Sequence, residues 1–175
     1  MATNAEVIKL DPDPYKDFYI AQGYRVGDLI FISGQIAITE DGQMVHGDFD
    51  TQADLTFRNM QRVLEAAGSS LDKVIKVTIF VTDMQAQRSR IMKLRQKWFK
   101  PPYPADTLVG VKELGHPSRL IEIEAIALAD EEFTRLKKKK LGLKTWRASH
   151  AGKEIVVTNW WSMKGVGAAE LTERR

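Results

Sequence analysis

Two glutamates lie two positions apart in an aliphatic segment, residues 120–128, which reads LIEIEAIAL. Residues two apart in a β-strand face the same side of the sheet, so Glu122 and Glu124 share one face with apolar neighbours. A carboxylate in such surroundings is costly unless it is paired, hydrogen-bonded or hydrated. Either the acids occupy an edge position or pair with a lysine, or one of them is held at a pocket to orient a water molecule or move a proton.

A second polar interruption occurs in residues 27–35, which read GDLIFISGQ. The apolar run of residues 29–32 has the length and side chains of a buried strand. Ser33-Gly34-Gln35 predicts the end of that strand. Two interpretations are open: these residues only form a turn, or the strand ends here so that Ser33 and Gly34 face a ligand.

Metal and triad chemistry have little support in the sequence. The chain has no cysteine, which excludes disulfides, thiol nucleophiles and thiolate metal ligands. The three histidines, His46, His116 and His150, lack metal-ligand spacing, and Ser33 has no evident His and Asp partners for a hydrolytic triad. We therefore expect no metal site.

The elements that position these residues follow from the spacing of apolar side chains. Residues 51–67 carry them at intervals of four and three, typical of one helix face: Ala53, Phe57, Met60, Leu64 and Ala67. Thr51 and Asp54 fit a capping box at the start of this helix, and Gly68 fits the left-handed position after its end. A second helix is predicted for about residues 86–99, with Ile91, Leu94 and Trp98 on one side.

The remaining segments predict strands. Residues 74–82, 106–111 and 120–128 have β-branched or alternating character, and Asp41-Gly42 predicts a tight hairpin. The order of strands and helices predicts an α+β domain in which both helices cover one face of a mixed sheet. The other face would then be buried by self-association, most simply in a closed ring.

The charge of the chain is unevenly distributed. The sequence pI is about 9.1, yet residues 1–130 hold 15 Lys and Arg against 18 Asp and Glu, whereas residues 131–175 hold 11 against 5. The domain therefore spans residues 1–130, and the basicity belongs to an extension of unknown role, residues 131–175. No segment is apolar enough to cross a membrane and the start does not resemble a secretion signal, so we expect a cytoplasmic protein.

The extension allows three interpretations. It holds a run of lysines at residues 137–140, followed by Trp146, Trp160 and Trp161. Basic residues with interleaved aromatics can contact nucleic acid or a membrane surface. The other two are a packing arm, which we favour and in which Ile155-Val156-Val157 can pair as a short strand, and a segment that does not belong to the natural domain.

Several of these segments together resemble the Rid family, also called YjgF or L-PSP. They are GDLIFISGQ, residues 59–84 (NMQRVLEAAGSSLDKVIKVTIFVTDM), YPADTLVGV and LIEIEAIAL, within a resemblance that runs from about residue 15 to 130. The resemblance implies a chorismate-mutase-like α+β fold, a homotrimeric barrel with clefts between subunits, a small-molecule substrate and no cofactor.

The resemblance also implies roles for individual residues. Ser33 and Gly34 match cleft-lining positions, and Glu122 matches the glutamate thought to position water for attack on an imine carbon. The family's site tyrosine aligns at Ile20, so Tyr19 could serve only after a local shift. Asp106, followed by Thr107, occupies the place of an arginine that grips the substrate carboxylate in the deaminase subgroup.

This acid makes 2-aminoacrylate-derived imino acids poor candidate substrates. The lost contact costs ~1.5–3 kcal/mol, and a substrate carboxylate ~4 Å from Asp106 would add repulsion of ~4 kcal/mol at an effective dielectric near 20. Arg25, Arg119 or an arginine of a neighbouring subunit could supply a substitute. The leading hypothesis is a deaminase-like hydrolase acting on a small enamine, imine or related amino compound. The alternatives are a non-catalytic ligand-binding trimer and, less favoured, an RNA-binding or RNA-cleaving protein.

Overall fold

The computed structural model describes residues 5–130 with their side chains and, beyond them, the backbone of three strands, residues 144–150, 153–159 and 169–173. The chain divides into two compact units, Met1–Asp130 and Glu131–Arg175.

One six-stranded sheet organises the first unit, in the spatial order β1-β2-β3-β6-β4-β5. Its neighbours pair antiparallel, except β4 and β5, which run parallel. The strands are β1 Ala5–Val7, β2 Gly23–Val26, β3 Leu29–Gln35, β4 Val74–Val81, β5 Ala105–Gly110 and β6 Ile121–Leu128. Helix α1 (Phe49–Ala66) joins β3 to β4, and helix α2 (Met84–Trp98) forms the crossover between the two parallel strands.

The hydrophobic core lies between the two helices and one face of this sheet. Every member of the predicted α1 stripe is buried. In α2, Ile91 and Leu94 are buried, and Trp98 stacks on Phe57 of α1 with ring centroids 5.2 Å apart. The predicted α+β fold, with a mixed sheet and both helices on one face, is confirmed.

The opposite face of the sheet has no cover from other elements of residues 5–130. In β6 the residues alternate between buried and partly exposed, and Glu122 and Glu124 lie on the uncovered side. Apolar side chains on this side keep between 37% and 47% of their surface exposed: Tyr24, Val26, Leu29, Phe31 and Leu128. This open face is an apolar patch of the kind that proteins bury in an interface.

The structure corrects three local expectations. Strands β1 and β2 were not predicted, and β3 continues through Ser33-Gly34-Gln35 to Gln35 instead of ending at Ile32. The Asp41-Gly42 turn forms, with Gly42 at φ 84°, but it joins an isolated bridge between Ile38 and Met44 and not two strands.

The cap of α1 also differs from its prediction. The helix begins at Phe49, and the side chain of Asp48 caps it by accepting a hydrogen bond from the backbone N–H of Thr51 at 2.8 Å. Thr51 therefore supplies the donor, and Asp54 plays no part in the cap. At the other end Gly68 has φ 75°, as predicted.

The second unit contains an antiparallel sheet of β7 (Lys144–His150), β8 (Lys153–Asn159) and β9 (Ala169–Glu173). The predicted strand at residues 155–157 lies within β8. The lysine run at residues 137–140 and Trp160 and Trp161 lie outside the described residues. None of the described helices combines the length and the apolar character that spanning a bilayer requires.

Candidate active site

A β-bulge in β3 brings Gly34 beside Glu122. Ile32 pairs with Ala125 and Gln35 pairs with Ile123, so Ser33 and Gly34 together lie opposite one residue of β6. A Cβ at Gly34 would lie 2.9 Å from Cδ of Glu122 and 3.1 Å from its Cγ, and closer still to Oε1. The Glu122 side chain thus occupies the space that any larger residue at position 34 would need.

Buried amides hold this bulge in place. Gln35 Nε2 donates to the Ser33 carbonyl at 3.1 Å and to Gln22 Oε1 at 3.2 Å, and Gln22 Nε2 donates to Asp13 Oδ1 at 2.6 Å. Ser33 Oγ donates to the Ala21 carbonyl at 2.6 Å. These bonds satisfy the polar groups of a strand that the sequence predicts to end at this point. The Ser33 hydroxyl proton is used in the bond to the Ala21 carbonyl.

Tyr15 lies behind Gly34 and was not among the predicted site residues. Its hydroxyl donates to the Gly34 carbonyl at 2.7 Å, and the side chain is buried. Burial, with the nearby Glu122 carboxylate as a second cause, raises the pKa of the Tyr15 hydroxyl well above its usual value. The phenol therefore stays protonated and anchors the Gly34 backbone.

Arg119 approaches Glu122 from the segment that precedes β6. Its Nη1 lies 3.7 Å from Glu122 Oε2, too far for a hydrogen bond, and its side chain is 16% exposed. Nη2 contacts only the thioether sulfur of Met44, at 3.8 Å, and the buried Nε has no hydrogen-bond partner among residues 5–130. The guanidinium is therefore close to the carboxylate but poorly satisfied.

Neighbouring side chains fix the segment that carries Arg119. Gln52 of α1 donates to the Ser118 carbonyl at 2.9 Å and accepts from the Leu120 N–H at 2.9 Å. His46 Nδ1 and His116 Nδ1 each lie 2.8 Å from Ser118 Oγ, and the Ser118 N–H donates to His116 Nδ1 at 3.2 Å. His116 Nδ1 is thus an acceptor, so Ser118 Oγ donates to it and accepts from His46.

The electrostatics of Glu122 suit proton transfer. Burial raises the pKa of the Glu122 carboxyl, and the nearby Glu124 carboxylate raises it further, while Arg119 lowers it. A carboxylate with a raised pKa is a stronger base than an ordinary glutamate at neutral pH. Within the described residues no three His, Cys, Asp or Glu side chains are grouped so as to hold a metal ion.

Asp106 lies on the other face of the sheet. It pairs with Val77, whose side chain is buried beneath the helices, and its carboxylate accepts two hydrogen bonds from Arg95 of α2: Nε to Oδ2 at 2.9 Å, and Nη2 to Oδ1. A surface cavity of about 500 Å³ adjoins this pair, lined also by Met92, Gln96, Phe99, Tyr103 and Pro104. Within one chain Asp106 therefore does not meet Glu122.

The structure gives neither of the two other predicted substrate-binding residues a hydrogen bond to Glu122 within residues 5–130. Thr107 Oγ1 accepts a hydrogen bond from Lys76 Nζ at 2.9 Å, further along the open face. Tyr19 is 97% exposed at a left-handed backbone position with φ 59°. Arg25 Nε donates to the Gly27 carbonyl at the β2–β3 turn. Of the predicted residues, the structure brings together Ser33, Gly34 and Glu122, and it adds Tyr15 and Arg119.

The pairing of Asp106 removes a premise of the repulsion estimate. That estimate treats Asp106 as an unpaired charge, whereas its bidentate bond to Arg95 makes the pair electrically neutral as a whole. Helix α2 is rich in lysine and arginine, and two more of these residues are paired with acids of α1: Arg90 with Asp50 at 3.5 Å and Lys97 with Asp54 at 2.7 Å. This pairing weakens the case for a polyanion-binding helix.

Comparison with known proteins agrees with this fold. Residues 12–129 match the family Endoribonuclease L-PSP. The chain is 40% identical over 119 residues to the RutC family protein YjgH of Escherichia coli (strain K12), covering 67% of this chain and 88% of that protein. It is 34% identical over 122 residues to a 2-iminobutanoate/2-iminopropanoate deaminase of Dermatophagoides farinae, covering 69% and 92%.

A solved structure is similar over the same region. The crystal structure of E. coli TdcF with bound serine superposes with a TM-score of 0.64 at 30% identity, covering 71% of this chain and 99% of that one. The sheet with its two helices is that of an L-PSP-type domain. This chain belongs to the Rid/YjgF/L-PSP family.

Proposed function

We propose that this protein is a Rid-type hydrolytic deaminase that acts on a small enamine- or imine-derived substrate, with Glu122 as the group that directs water. The carboxylate takes a proton from water as the oxygen bonds to the imine carbon, and the C=N electron pair moves to nitrogen. Glu122 returns this proton to nitrogen, which gives a carbinolamine. The carboxylate then takes the proton of the carbinol hydroxyl and passes it to nitrogen as the C=O bond forms and the C–N bond breaks, so that ammonia leaves. One imine and one water give one carbonyl compound and one ammonia, so no oxidant or cofactor is required.

One observation carries this proposal. The Glu122 carboxylate lies against the Cα of Gly34, partly buried, with a raised pKa and a guanidinium nearby. A relative that is named an imine deaminase supports the reaction class.

The proposal includes a homotrimer with the site between subunits. The exposed apolar side chains of the open face support self-association. Glu122 and Asp106 lie on opposite faces of one sheet, so a cleft that contains both residues requires two subunits. In such a cleft, Thr107 and Asp106 of one subunit would approach Glu122 of the next.

Ammonia release tests the proposed reaction. Imines are generated in situ by an amino-acid oxidase or an amine oxidase, and the uncatalysed rate is subtracted. Wild type should accelerate hydrolysis, and Glu122→Gln should lower kcat about 10²- to 10⁴-fold, the range typical of a lost general base. Glu124→Gln, on the same face of the same strand, is the matched control and should retain most activity.

Two outcomes separate the alternatives. Saturable ligand binding without ammonia release from any imine would favour the non-catalytic ligand-binding protein. Turnover that survives in Glu122→Gln would exclude Glu122 as the group that directs water.

A further inference from the structure

A tight turn, His116-Pro117-Ser118-Arg119, leads into β6 and brings Arg119 to Glu122. The Arg119 N–H donates to the His116 carbonyl at 2.9 Å, which closes the turn. Proline suits the second position of such a turn, because its ring sets the backbone angle φ that types I and II need there. The sequence thus builds a stiff turn just before the strand that carries Glu122.

Two histidine side chains brace this turn. His116 Nδ1 accepts from the Ser118 N–H at 3.2 Å and from Ser118 Oγ at 2.8 Å. Ser118 Oγ in turn accepts from His46 Nδ1 at 2.8 Å, and His46 lies 72 residues earlier, before α1. The two imidazole rings are 5.7 Å apart between centroids. This chain of hydrogen bonds ties the turn to a distant part of the sequence.

The backbone on either side of Arg119 is fixed as well. Gln52 of α1 donates to the Ser118 carbonyl and accepts from the Leu120 N–H, each at 2.9 Å. The Leu120 carbonyl accepts from the Thr82 N–H at 3.1 Å. A shift of Arg119 relative to β6 would therefore break several hydrogen bonds at once.

The same turn holds the guanidinium away from Glu122. The Arg119 side chain is packed along its length: Nη2 touches the sulfur of Met44 at 3.8 Å, and a Cβ at Gly115 would lie 2.9 Å from Nη1. Nη1 stays 3.7 Å from Glu122 Oε2, beyond hydrogen-bond distance. Opposite charges this close attract, and a hydrogen-bonded pair would be the stronger arrangement. The packing therefore keeps the pair open against its own attraction.

We propose that His46 and His116 are positioning residues that act through Ser118: they hold the turn so that Arg119 stays separated from Glu122 and Glu122 remains free to take a proton from water. This inference rests on the proposed function and adds to it a device that keeps the base available. When the turn loosens, the guanidinium closes on the carboxylate, and a closely paired carboxylate is a weaker base.

Two substitutions of one histidine test the role of its acceptor atom. His116→Leu removes the acceptor, whereas in His116→Asn the Oδ1 atom can take the place of Nδ1 and accept from the Ser118 N–H. The pKa of the Glu122 carboxyl should be lower in His116→Leu than in wild type, and His116→Asn should restore it. His46→Leu should lower it to a smaller extent. NMR titration of isotope-labelled glutamate carboxyls measures these values, and Glu122→Gln identifies the signal.

The surroundings of Glu122 make this titration specific to the turn. Within residues 5–130, the charged or titratable groups that act on Glu122 or are acted on by it are Arg119, Glu124 of its own strand and the Tyr15 hydroxyl. Of these three, Arg119 is the one that the turn carries. A lower pKa of Glu122 in His116→Leu therefore reports a closer guanidinium.

Kinetics provides the second measurement. The kcat for imine hydrolysis should fall about 10- to 100-fold in His116→Leu and in Ser118→Ala, as expected when a catalytic group is displaced. KM should change little, because the proposal gives neither side chain a contact with substrate. Ser70→Ala is the matched control: it removes a hydroxyl that bonds to Asp72 in the turn before β4, and it should keep the wild-type kcat.

The titration needs no substrate, so it separates this inference from the proposed function. An unchanged or higher pKa of Glu122 in His116→Leu would overturn the inference, and so would equal effects of leucine and asparagine at position 116. Either result combined with rapid ammonia release would leave the proposed function standing. A lower pKa in His116→Leu without ammonia release from any imine would show that the turn positions Arg119 and that the proposed reaction is wrong.

Discussion

Two arginine–carboxylate pairs lie on opposite faces of the same sheet and differ in how completely they satisfy each other. Arg95 and Asp106 form a bidentate pair beneath α2. Arg119 and Glu122 approach only to 3.7 Å beside the bulge in β3, and Arg119 keeps donors in reserve. Both carboxylate oxygens of the first pair are hydrogen-bonded to the arginine, whereas the second pair leaves a buried Arg119 donor unsatisfied within residues 5–130.

The loose pairing also bears on the titration of Glu122. Burial raises the pKa of the Glu122 carboxyl, and Arg119 only partly opposes that effect. A carboxylate with a raised pKa can accept a proton more readily. The acid that the family resemblance marks as important, Asp106, instead belongs to the pair that is already closed within this chain.

The largest effect in this comparison is expected at Gly34. In Gly34→Ala, the new Cβ would overlap Oε1 of Glu122 and lie 2.9 Å from Cδ, so the carboxylate must move. A displacement of about 1 Å can lower a rate about 10²-fold, so we expect a fall of that size in kcat for imine hydrolysis. Ammonia release measures it.

Gly42→Ala is not a suitable control for this change, because Gly42 has a positive φ. Gly47→Ala is better matched, since a Cβ there would meet nothing closer than 3.4 Å. If Gly34→Ala keeps the wild-type kcat, the close approach of Gly34 to Glu122 is not part of the catalytic geometry.

The second effect concerns the coupling energy within each pair. A double-mutant cycle with Arg95→Gln and Asp106→Asn should give about 1–2 kcal/mol, since the pair is bidentate and mostly shielded from solvent. The cycle with Arg119→Met and Glu122→Gln should give less than about 0.5 kcal/mol, because Nη1 and Oε2 lie 3.7 Å apart. Urea unfolding at equal protein concentration provides both values. Equal coupling in the two pairs would remove the distinction between them.

The sequence predicted those parts of the fold that long periodic patterns encode. The α1 stripe, the α2 face around Ile91 and Leu94, and the alternating strand with Glu122 all formed where apolar spacing placed them. Strands β1 and β2 were missed because they are only three and four residues long and carry polar or charged residues. Short strands of mixed composition depend on their neighbours in the sheet more than on their own sequence.

The candidate site was predictable only in part, for a related reason. Gln35 reads as a break in an apolar strand, yet it is buried, because Gln22, thirteen residues away, hydrogen-bonds to it. Tyr15 comes from a loop segment and reaches Gly34 nineteen residues further along the chain. Such contacts join residues that no local pattern relates. The partner of Asp106 was missed in the same way, since Arg95 belongs to a helix separated from β5 by three prolines.

The smallest expected effect is a pH-dependent change in stability on replacing Glu122. The raised pKa means that the charged form of Glu122 is disfavoured in the folded protein relative to the unfolded chain. At pH 7 the Glu122 side chain is charged in the unfolded chain, so folding of the wild type must bury part of that charge. Folding of the Glu122→Gln variant carries no such cost. The variant should therefore be more stable than wild type at pH 7, by about 1 kcal/mol or less.

The size of this stability difference depends on the pH. As the pH falls through the raised pKa of Glu122, the folded protein takes up a proton and the cost declines; below the unfolded-state value of about 4.3 it disappears. Urea unfolding of both proteins at pH 7 and near pH 4 should show the advantage of Glu122→Gln shrinking as the pH falls. Glu124→Gln, exposed on the same face, is the control for the loss of one carboxylate from this strand. An advantage of Glu122→Gln that grows towards low pH would mean that Arg119 holds the Glu122 carboxylate more tightly than the 3.7 Å separation implies, and the loose pair would then be a closed one.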